Sequence, residues 1–498
     1  MSSATPRGRR RVMLAAGISM GLAMVGAGAL ATVGLALDPG ADPATVSAED
    51  ALKVAITRGQ PLVEPPVVRP RNGVVRLDLS SKTSVTKIAG SKAISNVYNS
   101  LVPGPTVEID PGDRLEINLK NGGQYHEPTN LHTHGMHVDP KNPGDNVFLN
   151  IPTNGEHSYR YKVPKDQIPG LLWYHPHRHE YTQTQVFAGQ AGAIEVRGGL
   201  DDVKGVGDVR DRLLVFQAVQ FNKDGRPIRT PSDSDPAKQL QLINGQLEPT
   251  IDIRPNETQR WRILNASSDK FLVLRVQGHS MFILADDGNP RAVPQKVTTQ
   301  FIGPGERREF LVRAGAETGD FKVESMYFVP VRAEPSYSSP TRTIATMRVR
   351  GTAVTRRPIP TRLLPVEDLR TEHVDRRRRI VLGESKTSPN FYINGKEFDP
   401  DRIDQTMRLN DLEEWTIVNT TDEWHTFHIH INPYQVTRIN GKPVKGITWD
   451  DNVVVGPYGG TVTMRTRFTD FTGKFVIHCH VLFHEDHGMM SAVQVVRR

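Results

Sequence analysis

A chain of 498 residues with a single cysteine, Cys479, can close no intrachain disulfide, so its one thiol is free for other chemistry. A surplus of charge is also missing. The formal balance is +7, but Arg7, Arg9, Arg10 and Arg11 lie in an acid-free stretch, residues 1–37, and the remainder is nearly neutral. That excludes the basic footprint a nucleic-acid partner requires. Long helical runs are scarce too: 42 glycines and 36 prolines break the chain into short segments, which favours turns and strands. The expected fold class is all-β, and the length fits about three domains.

What is present begins with residues 12–37, which carry no charged side chain and no histidine. The run exceeds the ~7–15 residues of an ordinary signal core and is long enough for a bilayer, which takes about 20. It reads as an export signal, with a small-x-small triplet at Gly34-Leu35-Ala36 for cleavage, or as an uncleaved membrane anchor. The run Arg9-Arg10-Arg11-Val12-Met13 resembles a bacterial twin-arginine signal, a route that exports proteins already folded. An extracellular, periplasmic or cell-surface location is therefore expected. Residues 38–70, with prolines at 39, 43, 61, 65, 66 and 70, read as a surface arm without its own core.

An internal repeat organises the rest. Residues 112–121, 256–265 and 410–419 each open on a turn pair, continue as an alternating strand and end on Asn121, Asn265 or Asn419. A shorter strand precedes each copy. The copies lie a domain length apart, and their short, regularly spaced strands are those of a Greek-key β-sandwich. Boundaries fall at 201–211 and 351–379, where Gly, Pro and charge concentrate. The expected organisation is a leader at 1–37, an arm at 38–70, domain 1 at 71–200, domain 2 at 201–376 and domain 3 at 377–498.

Thirteen of the 17 histidines fall into four short windows, a concentration that packing does not require. The first holds His132 and His134, with His137 after them; the second His175 and His177, then His179; the third His425, His428 and His430; the fourth His478, Cys479, His480 and His484, followed by His487 and Met489. Residues two apart on a strand share a face, so each pair aims two imidazoles one way, and imidazole suits Cu, Zn, Fe or Ni. In the fourth window Cys479 points opposite to His478 and His480, so one strand can serve two metal sites. Two His, a Cys thiolate and a weak axial Met form the blue-copper arrangement, here His425, His484, Cys479 and Met489. A tetrahedral zinc site would account for the cysteine but leaves eight histidines unexplained.

On these four windows and the threefold repeat the sequence resembles the multicopper oxidases, in particular three-domain bacterial laccase-like enzymes, over about residues 71–498. The resemblance implies three consecutive cupredoxin-like domains and four coppers per chain. Carried over by position, it implies type 2 copper on His132 and His428. One type 3 copper falls on His134, His175 and His480, and the other on His177, His430 and His478. The trinuclear cluster would then lie between domains 1 and 3, with domain 2 a copper-free spacer. Aligning the domains puts Pro176 opposite Cys479 and Gln190 opposite Met489, so domain 1 lacks a type 1 site. Thr426 departs from the proline that many members carry after the type 1 histidine. The spare histidines His137, His179 and His487 are expected to ligate nothing.

The implied reaction takes single electrons from a small reducing substrate through Cys479 to the cluster, where dioxygen becomes water. Four protons are consumed, and Glu485 and Asp145 sit where related bacterial enzymes carry relay acids. Phenols or aromatic amines are the expected reductants. Of 12 methionines, four lie in the leader and the rest are scattered, without the Met-rich insertion typical of cuprous-ion oxidases. That metallo-oxidase activity is the alternative. A copper-free structural or division protein is the remote one, since such members lose ligands and this chain keeps them. A monomer is expected.

Overall fold

The computed structural model describes residues 56–498, apart from 124–126, 223–226, 229–234, 236–237 and 332–337. Six sheets pair into three consecutive β-sandwiches. In the first, the sheet of Ser91–Tyr98, Val74–Ile88, Arg114–Gly122 and Glu156–Lys162 faces the sheet that carries His132–His134 and Gly170–His175. Leu115, Ile117 and Leu119 alternate inward from Arg114–Gly122 and meet Val107, Tyr159, Leu172 and Ile194 in the core. In the third sandwich, Leu412–Asn419 has the corresponding place, and the facing sheet carries His425–Ile429 and Gly473–Cys479.

The repeat seen in the sequence is one structural device used three times. Each copy runs parallel to the first long strand of its sandwich: Arg114–Gly122 beside Val74–Ile88, Thr258–Asn265 beside Arg210–Val219, and Leu412–Asn419 beside Arg376–Glu384. Its terminal Asn is buried and pins the loop that follows. Asn419 Nδ2 donates to the carbonyls of Glu423 (2.7 Å) and Val455 (3.2 Å), while its Oδ1 accepts from the Thr421 N–H (2.9 Å). Asn121 and Asn265 repeat the pattern. Loop carbonyls that burial would otherwise leave without a donor are satisfied this way, and in domain 3 the pinned loop leads straight into His425.

One strand departs from its pattern. Thr258–Asn265 alternates polar and apolar residues, which reads as half-exposed, yet it is buried along its whole length. The domain 1 strand Gly170–His175 and the linker cover its polar face, where Arg262 Nη2 meets Asp201 Oδ1 at 3.0 Å and Arg260 Nε meets Glu309 Oε2 of the neighbouring strand at 2.9 Å. Paired arginines make that burial tolerable.

The expected leader at 1–37 and the arm to residue 55 lie outside the described residues. The rest of the arm adds Val67–Val68 as a parallel strand beside Thr106–Ile109 and bridges Arg58 to Leu247 and Pro61 to Thr250, so it ties domain 1 to domain 2. The first strand of the third sandwich starts at Arg376, and the Asp375 N–H already bonds Leu412 O (2.9 Å), which puts that boundary ahead of residue 375. Among the described residues no helix is long and apolar enough to cross a membrane. Two short helices, Thr182–Phe187 and Leu482–Asp486, pack together where domains 1 and 3 meet, with Gln183 N–H donating to Asp486 Oδ2 (2.8 Å).

Candidate metal centres

Strand register brings the histidine windows face to face. His132 lies opposite His175 and His134 opposite Trp173 in domain 1, while His428 lies opposite His478 and Phe427 opposite Cys479 in domain 3. Between the domains, His132, His134, His175, His177, His428, His430, His478 and His480 form one buried cluster. Within it the Nε2 atoms of His177, His430 and His478 lie 3.1 Å from one another, and those of His132 and His428 are 3.4 Å apart.

Hydrogen bonding decides what these nitrogens can do. A neutral imidazole donates from one ring nitrogen and offers a lone pair on the other. His132 Nδ1 donates to Asp145 Oδ2 (2.7 Å), His428 Nδ1 to Asp451 O (2.7 Å), His175 Nδ1 to Pro176 O (2.8 Å) and His478 Nδ1 to Cys479 O (3.0 Å). Each therefore turns an Nε2 lone pair inward. His134 is reversed: its Nε2 donates to Asp451 Oδ1 (2.9 Å), so Nδ1 carries the lone pair. His134 Nδ1, His175 Nε2 and His480 Nε2 are buried atoms with no hydrogen-bond partner in the protein. Converging, unprotonated nitrogens with nothing to accept from are the donor set of a soft or borderline metal ion, and copper fits it.

Burial also keeps the cluster neutral. It holds His175 down to about 3 and His177 to about 4, and pushes His132, His134, His428, His430 and His480 well below the usual histidine range. The two acids singled out in the sequence sit on different flanks. Asp145 accepts from the Thr133 N–H (2.8 Å) and Oγ1 (3.1 Å), but burial outweighs these bonds and raises it to about 7. Glu485 is equally buried, yet His177 and His478 outweigh that burial and hold it near 2. Its Oε2 lies 3.0 Å from His478 Nδ1 and its Oε1 3.6 Å from His177 Nδ1.

A second centre lies on the other face of the strand Gly473–Cys479. Cys479 Sγ is 3.5 Å from His425 Nδ1 and 3.7 Å from His484 Nδ1, and those nitrogens are 2.9 Å apart. His425 Nε2 is taken by Thr421 Oγ1 (2.7 Å) and His484 Nε2 by Glu423 Oε2 (2.8 Å), so both Nδ1 atoms face the sulfur. The Val481 N–H points at Sγ (3.4 Å), and Phe391 stacks on His484 at 4.1 Å. Met489 is buried beside them, its backbone bonded to both His484 and Cys479. His137 is bonded to Ile431 O and Asp470, His179 packs on Phe398 and His487 on Phe483.

The sequence reading missed Thr421, Glu423 and Asp451, which orient ligand nitrogens, and Arg307, which holds Asp451. Asp451 left a trace: an Asp450-Asp451 pair directly before the apolar strand Asn452–Val455, where burial demands cationic partners. A cavity of about 410 Å³ reaches Gly135 and Asp451 from the junction of the domains, and one of about 250 Å³ reaches His177 beside His179 and Phe398.

Three family models described as multicopper oxidase match residues 80–200, 173–350 and 372–498. A multicopper oxidase of Staphylococcus haemolyticus is 27% identical, over 80% of this chain and 83% of its own. Among solved structures, a Campylobacter jejuni multicopper oxidase described as a metallo-oxidase is 27% identical with a TM-score of 0.77, over 89% of this chain and 96% of its own. A laccase-like multicopper oxidase of Ochrobactrum sp., with oxidase activity towards lignin model compounds, is 26% identical with a TM-score of 0.73, over 88% of this chain and 100% of its own.

Protons compete with metal for a ligating imidazole, so the cluster's copper affinity should stay level as pH falls and weaken only through about pH 4, where His177 and then His175 titrate. Copper retained per chain after dialysis at stepped pH checks this. Loss of most of the copper between about pH 6.5 and 5, the range of an ordinary exposed histidine, would contradict it.

Proposed function

This chain belongs to the multicopper oxidases, copper-dependent oxidoreductases that pass electrons from a reducing substrate to dioxygen, and within that family we propose that it is a laccase-like enzyme acting on phenols or aromatic amines. The observation that carries its copper chemistry is the Cys479 segment, and the absence of a Met-rich insertion is what favours phenols. Cys479 Sγ faces His425 and His484, while its covalent neighbours His478 and His480 belong to the interdomain cluster. One short stretch of backbone thus joins a mononuclear and a polynuclear centre.

In this reading His425, His484, Cys479 and Met489 hold a type 1 copper. His132 and His428 hold type 2, and His134, His175 and His480 together with His177, His430 and His478 hold the type 3 pair, about four coppers per chain. When bound, these coppers accept electrons singly and deliver them to dioxygen. The residues do the rest. His484, whose Nε2 meets half-buried Glu423, is the ligand nearest solvent and the point of electron entry, with Glu423 Oε2 placed to take a hydroxyl proton from a phenol. Phe391 offers an aromatic face beside it. Glu485 and Asp145 carry protons to the cluster from its two flanks: Glu485 as a carboxylate beside His478 and His177, and Asp145, which titrates near neutrality, beside His132. The same proposal has the chain exported by a twin-arginine route, with copper inserted before export, and working as a monomer.

A metallo-oxidase is the second reading, and Glu384 favours it. Burial, reinforced by Glu423 and Asp422, pushes that carboxyl up, which marks three acids gathered near His484 that would draw a cation. Dioxygen uptake of copper-loaded protein with a phenol series against Cu(I) separates the two. Faster turnover of phenols supports the laccase-like reading, and turnover of Cu(I) alone overturns it.

Cys479→Ser exchanges a polarisable thiolate for a hydroxyl that binds copper weakly. The blue absorption and phenol oxidation should both be lost while about three coppers remain at the cluster. A variant that keeps both the colour and turnover would refute the type 1 assignment.

Glu485→Gln keeps the shape of the side chain and removes the carboxylate that would accept a proton and pass it on, so reoxidation by dioxygen should slow about 100-fold with the blue absorption unchanged. Stopped-flow reoxidation across pH measures this, and a rate equal to the parent's would leave Glu485 without a relay role. Asp145→Asn tests the other acid in the same way.

A further inference from the structure

Domain 2 contributes no imidazole to either centre, yet three of its contacts converge on one set of ligands. Arg307, fully buried in the strand Arg307–Arg313, grips Asp451 with two parallel bonds, Nη1 to Oδ1 at 2.7 Å and Nη2 to Oδ2 at 2.6 Å. Asp451 Oδ1 in turn accepts from His134 Nε2, the bond that turns His134 Nδ1 inward. The second contact is Gly305. A Cβ there would stand 2.8 Å from Cγ and Cδ2 of His480 and 2.5 Å from Asn452 Nδ2, and the backbone has φ +83°, so only glycine lets this loop back the His480 ring. The third is Trp173, which stacks on His175 at 4.1 Å and packs in one cluster with Leu213, Val215, Leu264 and Ala266 of domain 2.

His134 Nδ1, His175 Nε2 and both ring nitrogens of His480 are buried without a hydrogen-bond partner in the protein. The companion triad is backed differently: the His177 N–H donates to Asn130 Oδ1 (2.7 Å), His478 meets Glu485, and His430 Nδ1 lies 3.9 Å from Asp145 Oδ2. Those partners come from domains 1 and 3.

We propose that domain 2 builds one of the two type 3 copper sites, that of His134, His175 and His480, with Arg307 as its positioning residue. This rests on the ligand assignment given under Proposed function. The guanidinium fixes both carboxylate oxygens of Asp451 at once. It thereby sets the tautomer and the angle of a domain 1 ligand through a domain 3 acid, so the site forms only when all three domains are seated. A lysine keeps the charge but cannot hold a carboxylate in a fork, so Asp451 and with it His134 would lose their orientation.

Arg307→Lys and, as a control, Arg260→Lys should be purified with copper beside the parent. Arg260 is as deeply buried in domain 2 and paired with Glu309, but it touches no ligand. For Arg307→Lys the expected result is a drop from about four coppers to about three, loss of the near-ultraviolet absorption of the coupled copper pair, and an intact blue band. Arg260→Lys should keep all three signals. The proposal is overturned if Arg307→Lys keeps the near-ultraviolet band and full copper, or if Arg260→Lys loses the same copper, since the effect would then belong to the interface in general. If Arg307→Lys does not accumulate, Asp451→Asn preserves shape beside His134, breaks the fork and carries the same expectation. A parent without blue absorption would instead sink the ligand assignment on which the proposal stands.

Discussion

Eight imidazoles crowded into a buried interface repel one another if charged and waste their lone pairs if unpartnered, so the cluster is tolerable only under one constraint. The cluster must stay neutral, and in His132, His134, His175, His428 and His478 one nitrogen is committed to a protein acceptor while the other turns inward. Desolvation supplies neutrality, and Asp145, Asp451 and the carbonyls of Pro176 and Cys479 supply the commitments. Without metal the inward nitrogens are an unpaid cost, which is why a bound ion and the folded interface stabilise each other.

That constraint explains why three sandwiches are used where two would hold the ligands. Domains 1 and 3 offer the cluster sheets of like build, because each repeats the same parallel strand and the same asparagine-pinned loop. The carboxylate that orients His134 still needs a cation behind it, and a buried acid pair such as Asp450 and Asp451 cannot be left to itself. Arg307 and Arg308 from domain 2 supply that charge, with Asp287 bonding the N–H groups of both Asp451 and Asn452.

Much of this was legible from residue order alone. Period-two spacing places His478 and His480 with the cluster and Cys479 with His425 and His484, as alternation on one strand requires. The terminal asparagines of the repeat were legible as a pattern, but not that each pins the loop that follows it. What could not be read was whatever depends on distant parts of the chain meeting: Arg307 with Asp451, Trp173 against domain 2, Glu423 with His484. The full burial of Thr258–Asn265 belongs to the same class, since a polar face looks exposed until its partner surface is known. Adjacent-residue patterns report one strand's two faces and are silent about which domain covers them.

The central claim is that one buried strand serves a mononuclear copper and a three-copper cluster. Metal analysis combined with electron paramagnetic resonance on the fully loaded, oxidised protein tests it most directly. The account predicts about four coppers per chain, half of them silent because the type 3 pair is coupled, with one blue and one ordinary signal in the remainder. About one copper per chain, or zinc in place of copper, would contradict it.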